Sequence, residues 1–136
     1  MSAECRRRWP WRQSIDGPFA PRRIEMLESP AYRVLSLSAR RVLDRIEIEL
    51  AHHGGKDNGK LPVTYDDLAA YGIERRAIPL AIRECGALGF LEVTHQGRGG
   101  NAEFRSPNKF RLTFRHLDRA CMGHFLSRSI FDIVLL

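Results

Sequence analysis

Apolar residues recur through the middle of the chain with a helical step. Ala39, Val42, Leu43, Ile46 and Leu50 fall on one stripe and predict a helix over 38–53. Ser38 is a candidate N-cap for it. His52-His53-Gly54-Gly55 supplies the stop, with glycine for a left-handed C-cap and imidazoles near the negative helix end. Arg40–Asp44 and Arg45–Glu49, each four apart, are expected to pair on the exposed side. Ahead of this helix, Ser29-Pro30 reads as a helix start running a turn or two to Leu35. Arg22 to Glu28 predicts a short helix that partly buries Ile24, Met26 and Leu27. Residues 1–21, broken by Pro10, Gly17, Pro18 and Pro21, read as an irregular arm that Trp9, Trp11 and Phe19 can pin to the domain.

The pattern changes after a polar loop over 54–60. Leu61-Pro62-Val63 reads as a short edge strand, because proline has no N–H to give a central one. Thr64 to Asp67 spells a near capping box and starts a short helix through about Ala70, burying Leu68 with Tyr65 beside it. Gly72 supplies a turn and Ile73 points back to the core. A second helix is expected over about 75–88, with Ile78, Ile82 and Cys85 as its inner stripe, Ala81 and Leu88 flanking, and Gly89 closing it. Pro79 argues that this helix begins late, near Arg76, so that the proline falls in the first turn where no internal hydrogen bond is lost. Phe90 to Thr94 and Phe110 to Phe114 then alternate as two strands around a glycine-rich, basic loop. Residues 115–136 form a C-terminal tail: His116 to Leu126 reads as a helix, and Ile130 to Leu136 is apolar.

A chain of 136 residues fits one domain with tails, here 22–114. Its net charge of +6 is uneven. Residues 38–74 carry five Lys/Arg against seven Asp/Glu, and residues 75–111 carry seven against three. The basic half therefore holds the second helix and the hairpin, and a one-sided basic surface is the electrostatic footprint of nucleic-acid binding. Cys5, Cys85 and Cys121 are few, odd in number and far apart, which is no disulfide framework and suggests a reducing compartment. Arg6-Arg7-Arg8 is followed by Trp-Pro-Trp, not by an apolar segment, and no apolar run approaches the roughly 20 residues of a membrane helix. The expected location is the cytoplasm, with no membrane partner.

Candidate chemistry concentrates in the basic half. Arg75, Arg76, Leu80 and Arg83 lie outward on the first half of the second helix, with Pro79. Taken alone they are an ordinary solvated face. Opening a helix that is followed by a basic hairpin, they suit DNA: arginine holds guanine O6 and N7 or neutralises phosphate, and Leu80 meets thymine methyls. The hairpin tip Gln96 to Asn101 lets backbone approach a phosphate chain closely, and Arg98 suits a minor groove. Asn101, Arg105, Lys109 and Arg111 extend that surface. Arg6-Arg7-Arg8 offers an arm that reaches DNA. Metal and catalytic patterns are weak: Cys121 and His124 have ligand-like spacing without a second pair, Cys85 sits on an apolar stripe, and Asp66-Asp67 suits helix-start electrostatics. No enzyme and no cofactor are expected.

The run from Val63-Thr-Tyr-Asp-Asp-Leu through Gly72-Ile-Glu-Arg-Arg-Ala-Ile-Pro-Leu-Ala-Ile-Arg-Glu to Leu88-Gly-Phe-Leu-Glu-Val resembles winged helix-turn-helix proteins of bacteria and mobile elements, of the replication-initiator-like or small-regulator type. The resemblance covers about residues 29–114. It implies a mainly α fold with a small antiparallel β-hairpin, base contacts from Arg75, Arg76 and Arg83 on the reading helix, and a backbone contact from Arg98 on the wing. Glu74 and Pro79 depart from the small polar residues of such helices. The expected function is binding of double-stranded DNA in transcriptional regulation or replication control. The alternatives are a protein-interaction winged helix that uses the apolar tail, and RNA binding. A homodimer would form through the tail or the first long helix.

Overall fold

Ser36, two residues earlier than expected, caps the longest helix. Its backbone is extended and its hydroxyl accepts from the Ala39 N–H at 3.2 Å. The choice over Ser38 is made by a distant residue, because Glu84 accepts from both the N–H and the hydroxyl of Ser36, at 2.7 and 2.8 Å. The computed structural model describes residues 16–101 and 105–115. Among these the order is α1 (Ile24–Glu28), α2 (Pro30–Arg33), α3 (Leu37–His52), β1 (Leu61–Val63), α4 (Tyr65–Ala70), α5 (Ile78–Ala87), β2 (Leu91–His95) and β3 (Asn108–Leu112). The architecture is mixed α/β: five helices and one antiparallel sheet of three strands, ordered β1-β3-β2. The sheet is thus larger than a hairpin alone.

The apolar stripe of α3 is the floor of the core. Ala39, Val42, Leu43 and Ile46 have no exposed surface, and Leu50 almost none. Gly54 and Gly55, both at positive φ, close the helix: their N–H groups bond to the Ala51 and Leu50 carbonyls and so satisfy the orphan acceptors of the last turn. Arg45 and Glu49 pair at 2.9 Å, but both are largely buried rather than solvated. The expected Arg40–Asp44 pair does not form. Arg40 reaches the Tyr32 and Arg33 carbonyls and covers the Tyr32 ring at 5.2 Å, while Asp44 turns to Arg22.

Arg22 is the hub that joins the start of the domain to α3. It donates to Glu47 and to the Tyr32 hydroxyl, each at 2.8 Å, and pairs with Asp44. Glu47 is only 4 % exposed. Burial alone would lower the Arg22 pKa, but its hydrogen bonds and charge pairs with Glu47 and Asp44 outweigh this and hold it above the ordinary value. Ser29 caps α2 as expected, accepting from the Tyr32 N–H. In α1 only Met26 is buried, and Ile24 faces solvent. Phe19 is also exposed, so it does not pin the segment before α1. The expectations for Arg6 to Arg8, Trp9 and Trp11, for Cys121 and His124, and for a helix or apolar docking over 116–136 lie outside the described residues.

The strands begin at different residues than the alternation predicts. β2 starts at Leu91 rather than Phe90, and β3 spans Asn108–Leu112 rather than 110–114. Phe90 and Phe114 instead flank the sheet and meet edge to face at 6.5 Å, with Tyr32 against the other side of Phe90 at 5.9 Å. Phe110 and Leu112 point into the core, which leaves Lys109 and Arg111 on the opposite face of β3. Pro62 lies on the sheet edge opposite Lys109, where its missing N–H costs no central ladder bond.

The capping box of α4 forms in full. Asp67 N–H donates to the Thr64 hydroxyl at 3.1 Å, and the Asp67 carboxylate accepts from the Thr64 N–H at 2.8 Å. Leu68 is buried, but Tyr65 is more than a third exposed. The Thr64 hydroxyl, then its N–H, hold the Asp67 carboxyl below its ordinary 3.8, against burial and with help from Arg45. A carboxyl lowered on folding stabilises the fold above its unfolded pKa and loses that contribution as pH falls through the folded value. Thr64→Ala should therefore cost about 1 kcal/mol by urea denaturation at neutral pH. Between about pH 5 and pH 2, Asp67→Asn should lose less stability than the wild type does.

Candidate nucleic-acid interface

The connection from α4 to α5 is built on Gly72. Its φ of +96° lets the chain reverse, and the Gly72 and Ile73 N–H groups return to the Ala69 and Leu68 carbonyls. Ile73 drops into the core, while Arg41 of α3 donates to the Gly72 carbonyl at 2.8 Å and fixes the turn from outside. The chain then makes a further turn over 75–77 before α5 begins at Ile78.

Arg75 and Arg76 therefore precede the helix instead of opening it. Pro79 explains the late start, because it has no N–H to return to the Arg75 carbonyl. That carbonyl accepts from Ile78 in a turn, and the first helical bond runs from Ala81 to Ala77 at 2.9 Å. The buried stripe is Ile78, Ala81 and Cys85, with Ile82 only half-buried. The Cys85 thiol donates to the Ala39 carbonyl at 3.4 Å, and burial, with the Glu84 charge adding, pushes its pKa up to about 12. It is a packed thiol held in its protonated form. Opposite the stripe, Arg76, Leu80, Arg83 and Ala87 recur at intervals of four, three and four, and all are exposed. No ion pair holds Arg76 or Arg83 among the described residues.

The β2–β3 hairpin is cross-braced at its base. A bulge between Val93 and His95 shifts the register of β2 against β3. Gly97 follows, where an added Cβ would lie 2.2 Å from the Ser106 carbonyl oxygen, so only glycine fits between the two arms. Its N–H donates to the Asn108 side chain at 2.6 Å. Arg98 then bridges to Ser106 in both directions, its N–H to the Ser106 hydroxyl at 3.1 Å and its carbonyl from the Ser106 N–H at 3.2 Å. Gly99, one residue further, has open space around it.

Between α4 and this wing lies a cleft of about 720 Å³. Thr64, Asp66 and Arg75 line one wall, and Arg98 and Arg105 the other. Three of the expected arginines thus meet, although they come from three separate pieces of chain. The cleft also holds one acid that sequence reasoning assigned only to helix-start electrostatics. Asp66 pairs with Arg75 and faces Arg105 at 3.8 Å. The signal was available: with Asp67 taken by the capping box, Asp66 was the carboxylate left over in that turn.

The remaining expected residues lie elsewhere. Leu80 and Arg83 line the exposed face of α5, Arg76 is exposed in the turn just before it, and Asn101 is exposed without lining the cleft. Lys109 sits on the outer sheet face. Arg111, beside it, pairs with Glu92 at 3.1 Å and is packed against Gly59. At the end of α3, His53 lies 3.4 Å from Glu49 and 3.8 Å from Asp57. No group of three or more His, Cys, Asp or Glu among the described residues can hold a metal, and no helix among them is long and apolar enough to cross a membrane.

No protein-family model, no curated protein and no solved structure matches this chain. Gly97→Ala should cost about 1–3 kcal/mol through overpacking and speed hydrogen exchange at the Arg98 and Ser106 amides. Gly99→Ala, in open space, should leave both unchanged.

Proposed function

We propose that the domain is a winged helix-turn-helix that binds double-stranded DNA in transcriptional regulation or replication control. One observation carries the reading: Arg75, Arg98 and Arg105 line one cleft, beside a turn and helix that offer Arg76, Leu80 and Arg83 to solvent. In this reading α4 and α5 are the two helices of the motif and β2–β3 is the wing. Laid in the major groove, α5 presents Arg76 and Arg83 to guanine edges or flanking phosphates and Leu80 to thymine methyls. Arg98, held by the hairpin ladder, meets the backbone at the edge of the adjacent minor groove together with Arg75 and Arg105 of the cleft. With few polar side chains on the free face of α5, much of the selectivity comes from phosphate placement and DNA shape.

The expected behaviour is specific. Binding to duplex DNA, followed by fluorescence anisotropy, should weaken with salt with a log–log slope near −0.9 for each phosphate neutralised. Arg98→Ala should weaken binding to all sequences and flatten that slope by about 1, and Arg76→Ala or Arg83→Ala should cost about 1–3 kcal/mol on the preferred site. Absence of any complex with mixed duplexes at low salt would refute the assignment.

A second reading has its own support. Val34, Leu37 and Leu80 are each roughly two-thirds exposed, and Val34 and Leu37 flank the Ser36 that Glu84 of α5 grips. This apolar surface suits a protein partner, including a second copy of the chain. Sedimentation at rising concentration separates the readings: a protein-interaction domain of this kind should self-associate and lose that tendency in Leu37→Glu, whereas a monomeric DNA binder should be indifferent to the change.

A further inference from the structure

The cleft between α4 and the wing contains a carboxylate that neither α4 nor the core requires. The first turn of α4 is already satisfied by the Thr64–Asp67 box. Asp66 instead extends outward, with Oδ1 on the guanidinium of Arg75 and Oδ2 facing that of Arg105. Two arginines thirty residues apart in the chain thus share the two oxygens of one anion. Arg98 lines the same cleft and has no ion pair among the described residues. A phosphodiester also presents two non-bridging oxygens to guanidinium forks, with similar reach and the same charge. All three members of the Asp66 cluster are more than half exposed, so its pairs are weak and exchange readily.

We propose that Asp66 occupies, in the free protein, the position that one backbone phosphate of duplex DNA takes in the complex. On binding, Arg75 and Arg105 exchange the carboxylate for the phosphate, with Arg98 completing the set. Asp66 is then an intramolecular competitor that sets DNA affinity, and it ties the wing to the helical part of the domain until DNA arrives. The inference rests on the DNA-binding reading above and adds to it a named phosphate site and the residue that regulates it.

The test compares Asp66→Asn with Asp67→Asn in the full chain. Both remove one negative charge from the same turn, so a gain due to net charge alone would appear in both. Folding is checked first by thermal unfolding, since Asp67→Asn weakens the capping box. Asp66→Asn should bind duplex DNA about three- to tenfold more tightly at low salt, with the advantage shrinking as salt screens it. Asp67→Asn should not tighten binding. Adding Arg75→Ala and Arg105→Ala to Asp66→Asn should abolish the gain. If the wild type binds DNA and Asp66→Asn binds equally or more weakly, or if both asparagine variants tighten alike, the phosphate assignment is wrong while DNA binding stands. If neither the wild type nor Asp66→Asn forms a complex, the DNA-binding reading fails and takes this one with it. Calorimetric titration of Asp66→Asn with inorganic phosphate alone should show no saturable binding; saturation would assign the cleft to a free phosphate ligand instead.

Discussion

The contact between α3 and α5 decides what the rest of the molecule can present. Both helices put small residues where they meet: Ala39 is fully buried on one side, and Ala81 and Cys85 are buried on the other. The close approach brings the Cys85 thiol to the Ala39 carbonyl, one turn into α3. It also brings the neighbouring Glu84 carboxylate to the exposed N–H and hydroxyl of Ser36. Each successive helix residue is rotated by about 100°, so a slip of one position would put Glu84 or Gly86 in place of Cys85. The first would bury a charge without a partner, and either would part the Cys85 thiol from the Ala39 carbonyl and Glu84 from Ser36. These contacts set the rotation of α5, and the strip carrying Leu80 and Arg83 faces outward as a consequence of what its opposite side must bury.

A second constraint works on the far side of α3. Glu47 is buried, and a buried carboxylate is tolerated only with a cation and hydrogen bonds around it. Arg22 supplies both, and through Tyr32 and Asp44 it gathers the segment before α1, the helix α2 and α3 into one polar knot. The knot specifies where the first short helices lie, although their apolar contribution is small: Met26 and Ala31 are the buried side chains of α1 and α2. Arg40, released from Asp44, instead closes the carbonyls at the end of α2 and covers Tyr32, whose ring backs Phe90 at the entry to β2. Polar contacts at one end of the domain thereby support the strand that leads into the wing.

These two constraints explain what was legible in the chain and what was not. Periodicity and capping are local, and they carried the stripe of α3, the Thr64–Asp67 box, the turns at Gly54, Gly72 and Gly89, and the edge strand around Pro62. Choices made by distant partners were not legible. Ser36 prevails over Ser38 because Glu84 lies 48 residues away, and Asp44 leaves Arg40 because Arg22 arrives from 22 residues upstream. The site divides in the same way. That Leu80 and Arg83 share a free face follows from helical spacing. That Arg75, Arg98 and Arg105 line one cleft, that Asp66 lies among them, and that Arg111 pairs with Glu92 depend on how sheet and helices pack. Lys109 was grouped with the wing because it is close in sequence, but strand alternation puts it on the outer face of the sheet.

The β2–β3 hairpin also separates residues that share one basic loop in the sequence. Its base is cross-braced by Gly97 to Asn108 and by the two-way bridge between Arg98 and Ser106. Bracing matters because an arginine gives up about 2 kcal/mol of rotamer entropy when it is fixed on a ligand, and mobile backbone adds to that cost. Arg98 stands on backbone that is already ordered, at the last rung before the open tip, and it faces the same cleft as Arg75. Asn101, beyond that rung, makes no such hydrogen bond among the described residues. The glycines around Arg98 differ in the same way: Gly97 lets the two arms of the hairpin come together, because an added Cβ would meet the Ser106 carbonyl oxygen, whereas Gly99 has open space around it.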